Sequence, residues 1–197
     1  MLRGFIFDLD GTLLDTRLDF AAIRSDLGLP PGTPILEALE LVPPGEERDR
    51  QLAILHQHEL AGARQAVIFD GVIDFLQELD RRGIPQAVFT RNSRVSAELA
   101  LEQLPWTFSE IITREDAAPK PDPAGLLEIS RRWQIAPHQI AICGDYLYDL
   151  EAGRSAGMMT ILYAPNELPH FADRADHILR HFTDGLRLLD QLHVDRS

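Results

Sequence analysis

Lys120 is the only lysine among the 197 residues, and apart from histidines every other side-chain cation is an arginine. It sits in Ala-Pro-Lys120-Pro-Asp-Pro, between two acid-bearing segments. Upstream, Phe5-Ile-Phe-Asp8-Leu-Asp10-Gly-Thr12 is an apolar run that ends in two carboxylates and a Gly-Thr turn. Downstream, Ile140-Ala-Ile-Cys-Gly-Asp145 repeats the pattern, with Asp149 four residues on. Acids at the ends of two buried strands suit a hard divalent cation, and one compact ammonium suits a phosphoryl group beside it. The set points to a magnesium and phosphate site. A phosphate monoester is a dianion that repels an attacking carboxylate, so such a nucleophile works only where nearby cations neutralise both. Asp8 and Asp10, two apart on an extended strand end, point to the same side.

The elements that must hold these residues alternate between short β-rich runs and amphipathic helical stretches, which predicts a parallel sheet covered by helices. Strands are expected near 4–9, 85–90, 110–113, 139–143 and 159–163, with a last one at 177–179. Helices are expected at 72–82, 94–104, 123–133, 147–156 and 184–192, several of them punctuated by Gly83, Pro123 and Gly157. In such sheets ligands lie beyond the carboxyl ends of the strands, where Asp8, Thr90 and Asp145 fall. Between the first two core strands, 18–27, 34–41 and 46–66 have helical periodicity separated by Pro/Gly turns. The fold class is therefore α/β, a Rossmann-like parallel sheet sandwiched by helices, with a small α-helical cap inserted after the first strand. Residues 16–67 form the cap, and 1–15 with 68–197 the core.

A net charge of -12 and a pI near 4.9 argue against nucleic acid or an anionic membrane as a partner, because both need clustered Lys and Arg. A small phosphorylated metabolite remains compatible, since a bound cation reverses the local field. The single cysteine, Cys143, lies in an apolar run and reads as a small buried hydrophobe. Nothing resembles a transmembrane span or a signal peptide, and a cytoplasmic setting is expected. No dimerisation motif stands out.

Asp8-Leu-Asp10-Gly-Thr12, Thr90-Arg91-Asn92, Lys120-Pro-Asp-Pro123 and Gly144-Asp145-Tyr-Leu-Tyr-Asp149, taken in order, resemble the four motifs of the haloacid dehalogenase (HAD) superfamily. The stretches before the second motif and after the fourth look like phosphoglycolate-phosphatase-type members with a small helical cap. The resemblance implies a magnesium-dependent phosphatase acting through an aspartyl-phosphate on Asp8, with Asp10 as general acid and then base. It implies that Thr90 and Lys120 bind the phosphoryl group, with backbone N–H groups of Leu9, Asp10 and Arg91 as further donors. It implies that Asp8, the carbonyl of Asp10 and Asp145 hold the metal, with Asp149 as a further ligand or the support of a metal-bound water. One departure is Pro119, where relatives often have glycine before the lysine.

Each residue also has a plainer reading. Thr90 is a β-branched strand end, Asp149 an N-terminal helix acid favoured by the macrodipole, and Lys120 a surface lysine in a proline loop. If Lys120 neutralises phosphate and Asp8 in the bound state, its loss is expected to cost turnover and little stability. Asn92 reads as a turn or cap residue. In the cap, Arg24 and His56 are candidates for substrate specificity, together with Tyr146 at the site mouth. His56 and His58, two apart on one helix, point to different faces. Arg17 and Arg64 are further cap cations, and Trp106, Trp133 and Tyr148 read as cover for core edges. A phosphomutase on a sugar phosphate uses the same nucleophile, and a non-catalytic phosphate-binding protein is the alternative from another class. A cap without lysine argues against phosphonate hydrolysis, and the metal-site acids argue against dehalogenation.

Overall fold

Phe5, Ile6 and Phe7 are all fully buried, because β1 (Gly4–Phe7) runs through the middle of a sheet covered on both faces. The computed structural model describes residues 2–192; positions 1 and 193–197 of the expected core lie outside them. After β1 come β2 (Leu14–Asp15), three helices α1 (Phe20–Asp26), α2 (Ile35–Glu40) and α3 (Glu46–Arg64), and β3 (Val67–Ile68). The chain continues through α4 (Val72–Arg81), β4 (Gln86–Phe89), α5 (Arg94–Leu101), β5 (Glu110–Ile112), α6 (Ala124–Trp133) and β6 (Ile140–Gly144). It finishes with α7 (Leu147–Ala156), β7 (Met159–Tyr163), β8 (His177–Leu179) and α8 (Phe182–Gln191).

Six strands form one parallel sheet in the order β5-β4-β1-β6-β7-β8. The chain runs from β1 to one edge and then returns to the other side, so the switch point lies between β1 and β6, with Phe7 beside Cys143. Alternation divides β1 between two cores. Phe5 and Phe7 meet Phe75 of α4 edge-on at 5.6 and 6.2 Å, and α5 and α8 complete that layer. Ile6 faces the opposite layer of α6 and α7 with Phe89, Leu126, Ile129 and Ile142.

The expected strands and core helices are all present, with no end shifted by more than three residues. The expected 94–104 helix stops at Leu101, shortly before Pro105, which disfavours helical geometry in the residue before it. The sequence reading misses β2 and β3, an antiparallel pair of two residues each that ties the two ends of the helical insertion together. Helices α1 to α3 close over their own apolar cluster of Ile23, Leu27, Leu39 and Leu55. Asp19 begins α1 by accepting from the N–H groups of Ala21 and Ala22. Cys143 is buried in the first core layer, and burial pushes its thiol well above the ordinary range. Trp106 and Trp133 pack against the edges of the two layers.

Candidate active site

The backbone N–H of Asp8 bonds to the Cys143 carbonyl at 2.9 Å, so the β1–β6 ladder carries Asp8 to the switch point with little freedom. The chain then turns at Gly11 with φ +77, where a Cβ would lie 2.2 Å from Oδ2 of Asp145. Only glycine therefore lets the loop after β1 approach the acid that follows β6. At Gly144 a Cβ would lie 2.2 Å from Cγ of Asp149, so α7 starts close enough to bring that acid to the same point. The result is three carboxylates, Asp8, Asp145 and Asp149, with one oxygen from each within 4.8 Å of the others.

Lys120 enters this cluster from the loop before α6, across a cis Lys120–Pro121 peptide bond. It is 1% exposed. Its Nζ donates to Asp8 Oδ1 at 2.5 Å and to Asp149 Oδ1 at 2.6 Å, and lies 5.4 Å from the centre of the Phe89 ring. Asp149 uses its other oxygen to accept from the Tyr146 N–H at 3.1 Å, at the start of α7. The helix-acid reading of Asp149 thus holds, and the same side chain also anchors the lysine, a contact that the sequence reading did not include.

Crowded, buried acids resist ionisation. Burial pushes the Asp8 carboxyl up to about 7, with Lys120 opposing and Asp149 and Asp10 adding to the rise. Asp145 stands well above the ordinary carboxylate range, again chiefly through burial and then through Asp8 and Asp149. Burial also works against the Lys120 charge, but Asp149 and Asp8 more than offset it and its pKa is raised. Three acids gathered at one point and served by a single ammonium form a donor set of oxygens that fits a hard divalent cation such as magnesium.

Asp10 leaves the cluster on the other side and takes a hydrogen bond from Nδ2 of Asn92 to its Oδ2. Burial raises its carboxyl, with the Thr16 and Asn92 side chains opposing. Asn92 is therefore more than the turn residue expected: the helix cap is Ser93, whose side chain accepts from the Ser96 N–H. An 82-residue separation hides the Asn92 contact from any local pattern. Thr90 is buried, its N–H on the Ile112 carbonyl and its Oγ1 accepting from the Asn92 N–H at 3.1 Å.

Asp8, Asp10, Thr90, Lys120 and Asp149 line one cavity of about 120 Å³, with Arg91 and Tyr146 at its border. The cap candidates divide. Arg24 does not line this cavity; it donates to the Thr33 and Phe20 carbonyls at 2.8 and 3.1 Å and fastens α1 to the following loop. His56 faces Ser93 at 3.3 Å and lines a separate groove between α3 and the core, while His58 turns to Asp26 at 2.8 Å. Arg17 lies 3.8 Å from Asp15, and Arg64 is exposed. Two cavity-lining residues escaped the sequence reading of the mouth, Phe20 of α1 and Tyr148. An aromatic at the first position of a cap helix is the signal that could have found Phe20.

Residues 32–163 match the family model described as haloacid dehalogenase-like hydrolase. The chain is 32% identical over 180 residues to a phosphoglycolate phosphatase of Xanthomonas campestris pv. campestris, covering 81% of each protein. It is 31% identical over 223 residues to an N-acetylmuramic acid 6-phosphate phosphatase of Pseudomonas aeruginosa, covering 98% of this chain and 97% of that one. A hydrolase structure from Pseudomonas syringae superposes with a TM-score of 0.80 at 22% identity, covering 98% and 99% of the two chains. With a parallel sheet that gathers acids at its switch point and a family model matched over more than half its length, the chain belongs to the haloacid dehalogenase-like hydrolases.

Proposed function

We propose that the protein is a magnesium-dependent phosphatase that hydrolyses a small phosphate monoester through an aspartyl-phosphate on Asp8. One observation carries this reading: Asp8 and Asp149, which line a small cavity, share Lys120, and Asp145 beside them completes a cluster of three acids. Relatives named as phosphatases support it. Asp8 and Asp145 would hold the magnesium with the Asp10 carbonyl, and Asp149, whose two oxygens are already engaged, would act in support. Bound there, magnesium would neutralise charge on the phosphoryl oxygens.

In the first step a carboxylate oxygen of Asp8 attacks phosphorus, the ester P–O bond breaks, and Asp10 gives its proton to the departing alcohol oxygen. In the second, Asp10 takes a proton from water, the water oxygen attacks phosphorus, and the acyl phosphate releases Asp8 and inorganic phosphate. Asn92 keeps the Asp10 carboxyl turned into the cavity. Lys120 and Thr90, which line the cavity, would meet the phosphoryl oxygens, and burial of Lys120 gives its charge weight that water would screen.

The test is phosphate release from p-nitrophenyl phosphate. Turnover is expected with magnesium, with calcium a poor substitute, and is expected to vanish in excess chelator or on Asp8→Asn. A beryllofluoride adduct on Asp8 gives the direct view of the nucleophile. Undiminished turnover with chelator, or near wild-type rates from Asp8→Asn, would sink the covalent, metal-assisted reading.

A further inference from the structure

The cavity holds about 120 Å³, so most of the alcohol part of a substrate must sit at its mouth. Two cations line it, and both are committed. Lys120 faces Asp8 and Asp149. Arg91, which the sequence places near phosphate, turns its side chain the other way: Nη2 donates to both oxygens of Glu37 on α2, at 2.8 and 3.0 Å. Its Nη1 donates to the Lys120 carbonyl, and its guanidinium lies over the Tyr148 ring, 4.7 Å from the centre. A carboxylate carried on the substrate next to the ester oxygen would therefore meet in the lining only cations already paired, with the Glu37 carboxylate standing outside the lining on the far side of Arg91.

The same mouth is aromatic. Phe20 and Tyr146, each 53% exposed, border the cavity together with Tyr148. A single exposed aromatic needs no explanation, but two bordering one small polar cavity do. Tyr146 is held in place by edge contacts to Tyr148 at 5.1 Å and Phe171 at 5.7 Å, so its ring is a fixed wall. Such a wall favours the C–H face of a ring, and the nearby Glu37 carboxylate accepts hydrogen bonds from hydroxyl groups.

Resting on the phosphatase reading above, we infer that the mouth selects a phosphate ester of a neutral, hydroxylated ring, the class of a hexose phosphate. It disfavours an ester whose oxygen neighbours a carboxylate. Glu37 and Tyr146 are the specificity-determining residues: Glu37 occupies Arg91 and repels a second anion, and Tyr146 supplies the ring platform.

The experiment compares kcat/KM for a hexose 6-phosphate, 2-phosphoglycolate and acetyl phosphate with magnesium, in the wild type, Glu37→Gln and Tyr146→Ala. The wild type is expected to prefer the hexose phosphate to 2-phosphoglycolate by at least tenfold. Glu37→Gln is expected to shift that ratio at least fivefold toward 2-phosphoglycolate. Tyr146→Ala is expected to lower kcat/KM for the hexose phosphate at least fivefold more than for acetyl phosphate, which has no ring. Equal or inverted wild-type preference, or ratios that neither variant moves, overturns the inference while acetyl phosphate turnover leaves the phosphatase reading standing. No phosphate release from any of the three overturns both.

Discussion

Lys120 stands between two buried carboxylates, Asp8 and Asp149, and donates to both. Its uniqueness and its proline loop suggest a group that neutralises phosphate and Asp8 in the bound state, with little part in stability. Burial makes that expectation too mild: the residue is 1% exposed and its ammonium is bonded to two buried carboxylates, so it also holds the acids of the site together. Removing one partner of a buried ion pair costs about 3–5 kcal/mol. Lys120→Ala is accordingly expected to lower thermal stability at pH 8 as well as turnover, the latter by at least about a hundredfold. Lys120→Arg is expected to lose most activity too, because a planar fork does not fit between two acids placed for a compact ammonium. A Lys120→Ala protein that melts like the wild type would show that the acids lose nothing with their cation. The acids make a related prediction about pH. Asp8 titrates near 3.8 in ordinary surroundings and about 7 in the folded protein. Folded protein thus keeps a proton that the unfolded chain has released, and stability present below about 4 is lost as pH rises through about 7. Asp145, also raised, acts in the same direction. Glu78, held down to about 2 by Arg81 against burial, loses its contribution only in strong acid and leaves this window alone. In excess chelator the unfolding midpoint should fall between pH 5 and 8, and stabilisation by magnesium should grow over the same range. A midpoint flat with pH, or a magnesium effect equal at both ends, would contradict the crowding of these acids.

At the scale of elements, the strands and helices that carry the site were legible because each has an apolar pattern of its own. Ile140–Gly144 is a continuous buried run, and the Leu147–Ala156 helix is closed by Gly157, which has the positive φ that glycine allows. The strands β2 and β3 were not legible, because two residues are too short for any periodicity and their pairing is decided across the whole insertion. Nor does a pattern reveal which glycines are structural turns and which make room for a functional neighbour. Gly11 and Gly32 have nearly equal positive φ, +77 and +80, yet a Cβ on Gly32 meets nothing while one on Gly11 meets Asp145. Both alanine variants incur the left-handed backbone penalty, about 1 kcal/mol. Gly32→Ala should stop there and keep turnover and magnesium affinity. Gly11→Ala should add the displacement of Asp145, weakening magnesium binding at least tenfold in a calorimetric titration. Equal behaviour of the two variants would remove Gly11 from the construction of the site.

On the scale of the molecule, the helical insertion meets the sheet layer through two arginine–glutamate pairs that differ in burial. Arg114, after β5, bonds to Glu59 on α3, and the two side chains are 15% and 4% exposed. Arg91, after β4, bonds to Glu37 on α2, at 22% and 42%. The two are linked, since Arg114 also donates to the Arg91 carbonyl at 3.2 Å. Neither pair is visible in the sequence: partners 54 and 55 residues apart carry no local signal, and Glu59 reads there as one more polar position on a long helix. Their energetics should nevertheless separate cleanly. Glu59→Gln leaves a buried guanidinium without its counter-charge, a loss of about 3–5 kcal/mol. Glu37→Gln weakens a pair that water already screens, a change of about 0–1 kcal/mol. At about 2–4 °C per kcal/mol for a chain of this size, Glu59→Gln should lower the melting temperature by at least about 6 °C and Glu37→Gln by less than about 4 °C. Side-by-side thermal unfolding in chelator settles the order. If Glu37→Gln proved the more damaging, the insertion would be held at the mouth of the cavity, and the buried contact of α3 would not be its anchor.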